Sequence, residues 1–532
     1  MKFFAACHLG ALFVMALYGL YRLYQILLWV RERRRYPCPP PTPSVSALRV
    51  AVQLPIYNEK FVARRLIDAA CRLDWPRHLL EIQVLDDSTD ETCAIVDEAV
   101  TYWRGEGIPI QVVRRSQREG YKAGALAYGM GVSSAEYFAV FDADFLPRPD
   151  FLRQLMPYFS NPDVGFVQAR WGFINETDSW LTRIQGVLLG AHFGMEQFLR
   201  HRKGLFLNFN GTAGILRRTA IEDAGGWSPE TVTEDLDLSF RMHLAGWKAV
   251  YVNDVEVPSE LPPHLSGLIN QQRRWAKGSI QTARKLLIPI WRSGARLHQK
   301  IEATFHLIAN VGWLMGTIIF LTLYPTVIER NGLDAKTIIL IDVPVFLLAN
   351  IALLAYYFVS EHRARGKGTG KTLLSLVILP LYGIGLAPGI TLGVIEGLVR
   401  TGGIFVRTPK FGNKRDDEIR SSQYLHKNLT LPAISLTLLL YSLLPVVHVI
   451  SNRRFLALPF LLFFTAAQAL ILLHEASEWA GTIRFAGRPH DAFNKGWDGE
   501  GKNGRRSHEK GGGGSIRPNA ACSVRNEDGI GN

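Results

Sequence analysis

Residues 137–144 read Tyr-Phe-Ala-Val-Phe-Asp-Ala-Asp, a short apolar run that ends in two aspartates two positions apart. The apolar part, Tyr137–Phe141, is predicted to form a strand. Because alternate side chains of an extended chain face the same way, Asp142 and Asp144 are expected to converge at the carboxyl end of this strand. Taken alone, such a pair is more simply explained as a solvated acidic turn.

The residues before this run alternate between short apolar segments and segments with helical spacing. A helix is predicted at Phe61–Leu73, and a capping box of Ser88 and Glu91 is predicted to open another. Further strands are predicted at Leu48–Leu54, Ile82–Leu85 and Ile108–Val113. This alternation favours an α/β domain with a mostly parallel, doubly wound sheet, in which ligands bind at the carboxyl ends of the strands.

Apolar segments flank this domain, so the chain is predicted to be embedded in a lipid bilayer. The segment Phe3–Val30 is long enough to cross a membrane, and the arginine-rich residues 31–35 place its end in the cytoplasm by the positive-inside rule. The segment 373–399 leaves open a single crossing, a re-entrant hairpin or a pair of interfacial helices. Other spans are predicted at Phe305–Val327, Thr337–Val359, Leu431–Ile450 and Phe455–Leu473.

Composition narrows the class of protein further. The net charge is +13, but many basic residues lie beside apolar stretches, where they set membrane orientation, so no nucleic-acid partner is expected. The five cysteines form no CxxC pair, which argues against a zinc site or a disulfide framework. The predicted parts are a transmembrane helix at 1–30, a basic, proline-rich linker at 31–47, a cytoplasmic α/β domain at 48–300, a multi-span membrane domain at 301–475 and a disordered tail at 476–532.

The polar residues that follow the predicted strands suggest a site for a nucleotide. The pair Asp142 and Asp144 suits Mg²⁺ or Mn²⁺ bridging a diphosphate, because hard cations prefer oxygen ligands. Asp87 could accept a hydrogen bond from a nucleobase or ribose, although it also suits a helix N-cap. Tyr57 offers a ring for base stacking and Glu59 a carboxylate for ribose, although both also fit an ordinary polar loop.

Two later motifs could act on an acceptor and on phosphates. Thr233-Glu234-Asp235 begins a helical stretch, where Asp235 could be a general base or where the acidic residues could simply favour the helix dipole. Residues 271–275 supply an amide (Gln271), a phosphate-pairing guanidinium (Arg274) and a sugar-stacking indole (Trp275). The alternative for this segment is an amphipathic helix with a tryptophan at the membrane interface.

Together these motifs resemble the family 2 glycosyltransferases, which include cellulose, hyaluronan and mannan synthases. The family pattern of a first Asp, DxD, TED and QxxRW corresponds in order to Asp87, Asp142/Asp144, residues 233–235 and residues 271–275. Three further segments look like the plant cellulose-synthase-like A and C proteins: Val84–Asp90, Gly120–Leu126 and Phe209–Gly214. Phe405–Lys410, within a loop near 402–415, is similar to the FxVTxK gating loop of cellulose synthases, with Arg407 at a position where that motif has valine.

The resemblance implies a GT-A fold and assigns roles to individual residues. It implies that Asp144, with help from Asp142, holds Mg²⁺ or Mn²⁺, and that Asp235, beside Glu234, deprotonates an acceptor hydroxyl in a single displacement with inversion. The implied donor-binding residues are Tyr57, Glu59, Asp87, Lys122, Asp142, Arg274 and Lys410. The implied acceptor-binding residues are Gln271, Trp275, Asn210 and Gly211.

Three functions fit these features. The first is a synthase that extends a β-linked polysaccharide processively from GDP-mannose or UDP-glucose and couples synthesis to export. The second is a glycolipid synthase that transfers one sugar to a membrane lipid. The third is an inactive scaffold or transporter relative, against which the complete motif set argues. The expected partners are a nucleotide-sugar donor, a growing glycan or lipid acceptor and the bilayer, and no residue decides between the two donors.

Overall fold

The computed structural model describes residues 3–33, 48–329, 335–403, 408, 410–412, 430–453 and 455–480. Of the linker predicted at 31–47, residues 34–47 lie outside the described residues, and of the tail predicted at 476–532, residues 481–532 do; residues 476–480 are helical. Of the loop near 402–415, residues 402, 403, 408 and 410–412 are described.

The described residues of the α/β domain contain one seven-stranded sheet in the order β3-β2-β1-β4-β6-β5-β7. Strand β6 is antiparallel to β4 and β5, and every other neighbouring pair is parallel, so the prediction of a mostly parallel sheet is confirmed. The strands are β1 Val50–Ile56, β2 Leu80–Asp86, β3 Ile110–Val113, β4 Tyr137–Val140, β5 Val164–Phe173, β6 Gly214–Arg217 and β7 Lys248–Ser259. The central strands β1, β2 and β4 read as nearly continuous apolar runs because helices cover both faces of the sheet.

The helices of this domain alternate with its strands. They are α2 Ala63–Cys71, α3 Thr92–Gly105, α4 Tyr121–Gly131, α5 Phe151–Leu155, α6 Trp180–Ala191, α7 Gln197–Arg202, α8 Arg218–Asp223, α9 Glu234–Leu244 and α10 Leu265–Arg292. The helix α1, Phe3–Glu32, precedes them. The predicted helix at Phe61–Leu73 is thus confirmed, although α2 is two residues shorter at each end.

The capping box predicted for Ser88 and Glu91 is wrong. Helix α3 begins at Thr92 with Glu91 at the N-cap and no hydrogen bond from its side chain. The hydroxyl of Ser88 instead accepts a hydrogen bond from the Asn58 amide at 2.9 Å, and the carboxylate of Asp90 accepts one from the Thr92 amide at 3.0 Å. Ser88 therefore joins the loops that follow β1 and β2, which is a contact between distant residues that helix-start rules do not include.

Helices α11 to α16 complete the described chain. They are α11 Leu297–Leu307, α12 Val311–Glu329, α13 Ala335–Val359, α14 Thr369–Val399, α15 Thr430–Ser451 and α16 Leu458–Ala480. Six described helices are long and apolar enough to cross a membrane. They are α1, α12, α14, α15, α16 and the segment Pro344–Ala364, which includes most of α13. The span predicted at 305–327 starts too early, because 305–307 ends the separate, more polar helix α11.

The segment 373–399 is one continuous helix despite its two prolines, so neither the re-entrant hairpin nor the pair of helices is observed. Neighbouring helices support the proline-containing stretch by close packing. A Cβ atom at Gly385 of α14 would lie 2.8 Å from the carbonyl oxygen of Ala467 in α16. The absence of a side chain at this position therefore lets the two helix backbones approach each other.

Buried ionic groups fix the α/β domain against α1 and α11. Glu196 forms ion pairs with Arg22 of α1 and, at 3.2 Å, with Arg200. Arg200 also pairs with Glu302 of α11 at 2.8 Å, and the hydroxyl of Tyr356 in α13 donates to Glu196 at 2.9 Å. Each buried carboxylate has a charged or hydrogen-bonding partner, which is the condition for burying it without a large penalty. The α/β domain and these helices consequently form one body.

Candidate active site

A single cleft lies where β1, β2 and β4 end and where α9 and α10 begin. In parallel sheets this edge collects the polar residues that follow the strands. The candidate site residues that line it are Tyr57, Glu59, Asp87, Lys122, Asp142, Asp144, Asn210, Glu234, Asp235, Gln271, Arg274, Trp275 and Lys410. Gly211 lies beside them, because a Cβ atom there would be 2.6 Å from the Asp235 carboxylate. All the residues that the sequence nominated therefore meet in one place.

Lys122 is the central cation of this cleft. Its ammonium lies 2.5 Å from the Asp142 carboxylate and 3.8 Å from that of Glu234, and it donates to the Gly211 carbonyl at 2.8 Å. Burial lowers the pKa of Lys122, but the nearby carboxylates of Asp142 and Glu234 outweigh it and the pKa is raised overall. Lys122 is thus held in its charged form between two acidic motifs, as a group that stabilises a diphosphate must be.

Asp144 lies deeper than Asp142 and is held by a different loop. Its Oδ2 accepts hydrogen bonds from the Glu260 amide at 3.1 Å and from the Lys410 ammonium at 2.9 Å. Lys410 also donates to the Glu260 carbonyl at 2.5 Å, while Arg65 pairs with the Glu260 carboxylate at 2.7 Å. Glu260 therefore fixes both the second aspartate of the DxD motif and the described part of the following loop.

Asp235 has the electrostatic character of a general base. Burial raises its pKa, the neighbouring Glu234 raises it further, and the result is about 7. Its Oδ1 accepts a hydrogen bond from the Leu236 amide at 2.8 Å, which fixes the carboxylate at the start of α9. Arg274 approaches from α10; burial lowers the pKa of this guanidinium, although Glu234 and Asp235 oppose that shift. A carboxylate with a pKa near 7 is deprotonated in a large fraction of molecules at neutral pH and still binds a proton tightly enough to act as a general base.

The residues after β1 and β2 form the far end of the cleft. The Asp87 amide donates to the Ile56 carbonyl at 3.0 Å, which joins the two strand ends. Both oxygens of the Asp87 carboxylate accept hydrogen bonds from Arg115, at 3.1 and 2.5 Å. The guanidinium of Arg118 lies 3.4 Å from the centre of the Tyr57 ring. One face of the ring proposed for base stacking is therefore already covered.

Two candidate acceptor residues, Asn210 and Gln271, each carry a buried polar atom that has no hydrogen-bond partner among the described residues. Asn210 accepts hydrogen bonds from Gln197 at 3.0 Å and Asn208 at 2.6 Å, but its own Nδ2 has no partner among the described residues. The Oε1 of Gln271 likewise has no partner there. Trp275 is partly exposed and lines the same cleft. One donor, one acceptor and an aromatic surface are the groups that a sugar ring requires.

Gly211→Ala is expected to remove most activity while the protein still folds. Gly211 has a φ of +78°, which alanine adopts reluctantly, and the new Cβ would lie 2.6 Å from the Asp235 Oδ2 and 3.3 Å from the Lys122 Nζ. The base and the central cation must both move. Initial rates of sugar transfer, compared with thermal unfolding, test this. Gly204→Ala is the matched control, since Gly204 also has a positive φ but an open environment.

The described side chains supply only some of the oxygen ligands that Mg²⁺ or Mn²⁺ requires. Asp142 and Asp144 offer carboxylate oxygens in the cleft, and the Asp142 side chain is about one-third exposed. Among the described residues no group of three or more His, Cys, Asp or Glu side chains converges on a metal position. Magnesium is commonly bound by one or two carboxylates together with substrate phosphates. The residues therefore fit a cation that arrives with a diphosphate.

Sequence reasoning missed the residues that organise this site from other loops. Glu260 and Arg115 bind the two acidic motifs, and Arg118 covers Tyr57. None belongs to a family motif used above. A signal was nevertheless available for the arginines, because Arg114, Arg115 and Arg118 follow a predicted strand as directly as the aspartates do.

The sheet order and the polar cleft at the strand ends define a GT-A glycosyltransferase fold. Residues 48–278 match the family model described as glycosyltransferase like family 2, and residues 216–452 match the model described as cellulose synthase. Residues 48–278 are thus similar to the family 2 glycosyltransferases and residues 216–452 to the cellulose synthases, the two groups that the sequence motifs indicated.

Curated relatives are similar to slightly less than half of the chain. A probable glucomannan 4-beta-mannosyltransferase 15 from Arabidopsis thaliana is 46% identical over 246 residues, covering 45% of this chain and 46% of the relative. A probable glucomannan 4-beta-mannosyltransferase 11 from the same plant is 47% identical over 249 residues, covering 46% and 56%. The chain thus spans about half the length of the curated relatives it matches.

Solved structures show weaker likeness. The mannosyltransferase PcManGT from Pyrobaculum calidifontis, solved with GDP-Man and Mn²⁺, has a TM-score of 0.46 and 19% identity and covers 70% of this chain and 99% of its own. Residues 1–349 of TarS from S. aureus have a TM-score of 0.37 and 12% identity, with 66% and 89% covered.

Proposed function

We propose that the chain is a membrane-bound, inverting glycosyltransferase that moves a hexose from a nucleotide-sugar donor onto a growing β-linked glycan. The observation that carries the proposal is the position of Asp235. A carboxylate with a pKa near 7 lies in the same cleft as Lys122 and Arg274, two cations suited to a diphosphate. A proton acceptor beside a phosphate-binding region is the arrangement that glycosyl transfer requires.

The reaction is a single displacement at the anomeric carbon of the donor. Asp235 takes the proton from an acceptor hydroxyl as its oxygen bonds to that carbon, and the bond from the carbon to the diphosphate oxygen breaks with the electron pair leaving on the diphosphate. Lys122 and Arg274 stabilise this negative charge. Mg²⁺ or Mn²⁺ bound by Asp144 and Asp142 would supply further Lewis-acid stabilisation. Attack opposite the leaving group converts an α-linked donor into a β-linked product.

The transferred sugar is mannose. The relatives at 46 and 47% identity are named probable glucomannan 4-beta-mannosyltransferases, which supports this assignment. GDP-mannose is therefore the proposed donor and UDP-glucose the competing one. On the acceptor side, Trp275 packs against the face of the terminal sugar, while Asn210 and Gln271 bind its hydroxyls through their available polar groups.

The catalytic domain lies on the cytoplasmic side. The arginine-rich residues that follow α1 support this orientation. Helix α14 contacts the domain near both of its ends: Arg183 donates to the Ser375 hydroxyl at 2.8 Å, and Arg273 pairs with Glu396. These two positions on α14 are about 30 Å apart at the rise of an α-helix. We assign α14 to the cytoplasmic membrane boundary, where it runs alongside the domain instead of crossing.

Polymer growth is coupled to export through the same boundary. Leu189 of α6 and Gln271 of α10 both line the cleft, and α10 packs along α14. The candidate acceptor end of the cleft is therefore bordered by the helices that join the domain to the membrane segments. A glycan that leaves this end meets the membrane helices directly, which suits a synthase that retains its product between additions.

Membranes that contain the protein, incubated separately with radiolabelled GDP-mannose and UDP-glucose and with Mg²⁺ or Mn²⁺, test the proposal. We expect label from GDP-mannose in an ethanol-insoluble product that a β-mannanase degrades. Label from UDP-glucose alone would replace the donor, and label only in the organic extract would indicate a glycolipid synthase. Transfer from neither donor would reject the proposal in favour of an inactive relative.

A further inference from the structure

Arg118 occupies a position in the cleft that the catalytic roles above do not use. It lies in the loop between β3 and α4 and lines the cleft beside Tyr57 and Asp87. Its guanidinium carbon is 3.4 Å from the centre of the Tyr57 ring and 5.0 Å from that of Tyr121. Planar guanidinium groups stack on aromatic rings in this way, and such stacking fixes the plane of the group.

The hydrogen-bonding capacity of Arg118 is unused. Its neighbour Arg115 donates to both oxygens of Asp87 and to the carbonyls of Glu119 and Tyr121. Arg118 makes no hydrogen bond to any residue of the described ranges. Its buried Nε forms an ion pair with the Asp87 carboxylate at 4.0 Å, which is too long for a hydrogen bond. An arginine has five N–H donors, and leaving a buried donor unsatisfied costs stability. Such a group is suited to bind a ligand.

The position of Arg118 indicates which part of the donor it meets. Lys122, Lys410 and the two DxD aspartates lie at the end of β4, where the diphosphate is proposed to bind. Arg118 lies instead at the ends of β1 and β2, with Tyr57 and Asp87. Because the guanidinium covers one face of the Tyr57 ring, a base cannot stack on that face while Arg118 remains there. A base that binds on this side of Tyr57 therefore meets the guanidinium of Arg118.

We propose that Arg118 binds the nucleobase of the donor through its guanidinium edge and selects guanine over uracil. This inference rests on the proposed function and specifies its donor. Guanine presents two adjacent acceptors, O6 and N7, which match the two parallel N–H groups of an arginine. Uracil presents O2 and O4 on opposite sides of its N3–H, so the same fork makes one hydrogen bond to it. Stacking on Tyr57 fixes the orientation of the guanidinium plane, so the difference between two hydrogen bonds to guanine and one to uracil becomes a difference in affinity.

Nucleotide binding to the purified full chain in detergent, measured by calorimetry with GDP and with UDP, tests the inference. We expect the unmodified protein to bind GDP more tightly than UDP. Arg118→Ala is expected to weaken GDP binding by about tenfold or more, and UDP binding by less than about threefold, because a bidentate contact is lost only for guanine. Arg118→Lys keeps the charge but not the fork, so it should also lose the preference. Gln117→Ala, at an exposed position of the same loop, should change neither value.

Two results would overturn the inference: tighter binding of UDP than of GDP by the unmodified protein, or an equal loss for both nucleotides in Arg118→Ala and Arg118→Lys. If Arg118→Ala does not fold, as judged by thermal unfolding, the lysine variant decides the question alone. The binding experiment requires no sugar transfer. A clear preference for GDP that depends on Arg118, found in a protein that transfers no sugar, would therefore reject the proposed function and retain the nucleobase contact.

Discussion

Asp235→Asn is expected to lower the rate of sugar transfer by about 10²- to 10⁴-fold, the range typical for loss of a general base. Asparagine has the shape of aspartate but does not accept the proton of an acceptor hydroxyl. The fold should be retained, because the Leu236 amide that donates to Asp235 can donate equally to an amide oxygen. Initial rates with radiolabelled donor, in membranes with matched protein content, provide the measurement.

The control for this substitution is Glu222→Gln, which neutralises a carboxylate on an exposed helix outside the cleft. It should leave the rate unchanged. Binding of GDP should also survive in Asp235→Asn, because the proposed partner of Asp235 is the acceptor hydroxyl and not the nucleotide. If Asp235→Asn retained more than about a tenth of the activity, the proton would have to leave through another group, and Glu234 would be the next residue to test.

The rate of the unmodified protein is expected to rise with pH through about 7 and then to level. Burial and the neighbouring Glu234 raise the pKa of Asp235 to about 7, so the proton-accepting form predominates only above that pH. The effect on stability has the opposite direction. Between the ordinary pKa near 4 and the raised value, the folded protein binds the extra proton, so the free energy of unfolding falls as pH rises. Measuring the rate between pH 5 and 9 should show this rise. A rate that does not change over this range would contradict the assignment of Asp235 as the general base.

The sequence predicted the composition of the site better than its organisation. Asp142 and Asp144, residues 233–235 and residues 271–275 were recognisable because their types and order match a family pattern. The first two groups also follow a strand or begin a helix, whereas residues 271–275 lie within α10. The contacts of Asp144 with Glu260 and Lys410 were not recognisable, since they join residues more than 100 positions apart. Local pattern rules carry no information about such pairs. The same limit explains why Ser88, which fits a helix cap, instead binds the loop after β1.

The course of α14 could not be predicted from hydropathy and charge alone. Hydropathy, prolines and basic flanks allowed three arrangements of residues 373–399. The chain forms one helix whose two ends contact the same domain, and its proposed course along the membrane boundary is not among the three. What decides between the arrangements is the fit of α14 against α10 and α16, including the small side chain at Gly385. Packing of this kind depends on residues distant in the sequence, and mean hydropathy is equal for all three alternatives.

Lys122→Met is expected to reduce both stability and activity, and it should also move the pH dependence of the rate. The ammonium of Lys122 is the partner of Asp142 at 2.5 Å and lies 3.8 Å from Glu234. Its removal leaves these carboxylates without the ammonium that lies between them, and Arg274 is then the cation that remains near them. The loss in unfolding free energy should reach about 3 kcal/mol, at the lower end of values for broken buried pairs because Asp142 is partly exposed.

The direction of the pH shift follows from the charges around Asp235. Lys122 lowers the pKa of that carboxyl, against burial and Glu234, which raise it. Without the ammonium the pKa of Asp235 must rise, so the pH at which the rate increases should move above 7. The rate at pH 7 should therefore fall more than the rate at pH 9. Lys122→Arg restores a positive charge and should return the pH at which the rate increases toward 7. If the rate of Lys122→Met still rises near pH 7, the ionisation that controls the rate belongs to a group other than Asp235. Of the cations that lower the pKa of that carboxyl, Lys122 has the largest effect, so its loss must change the proton affinity.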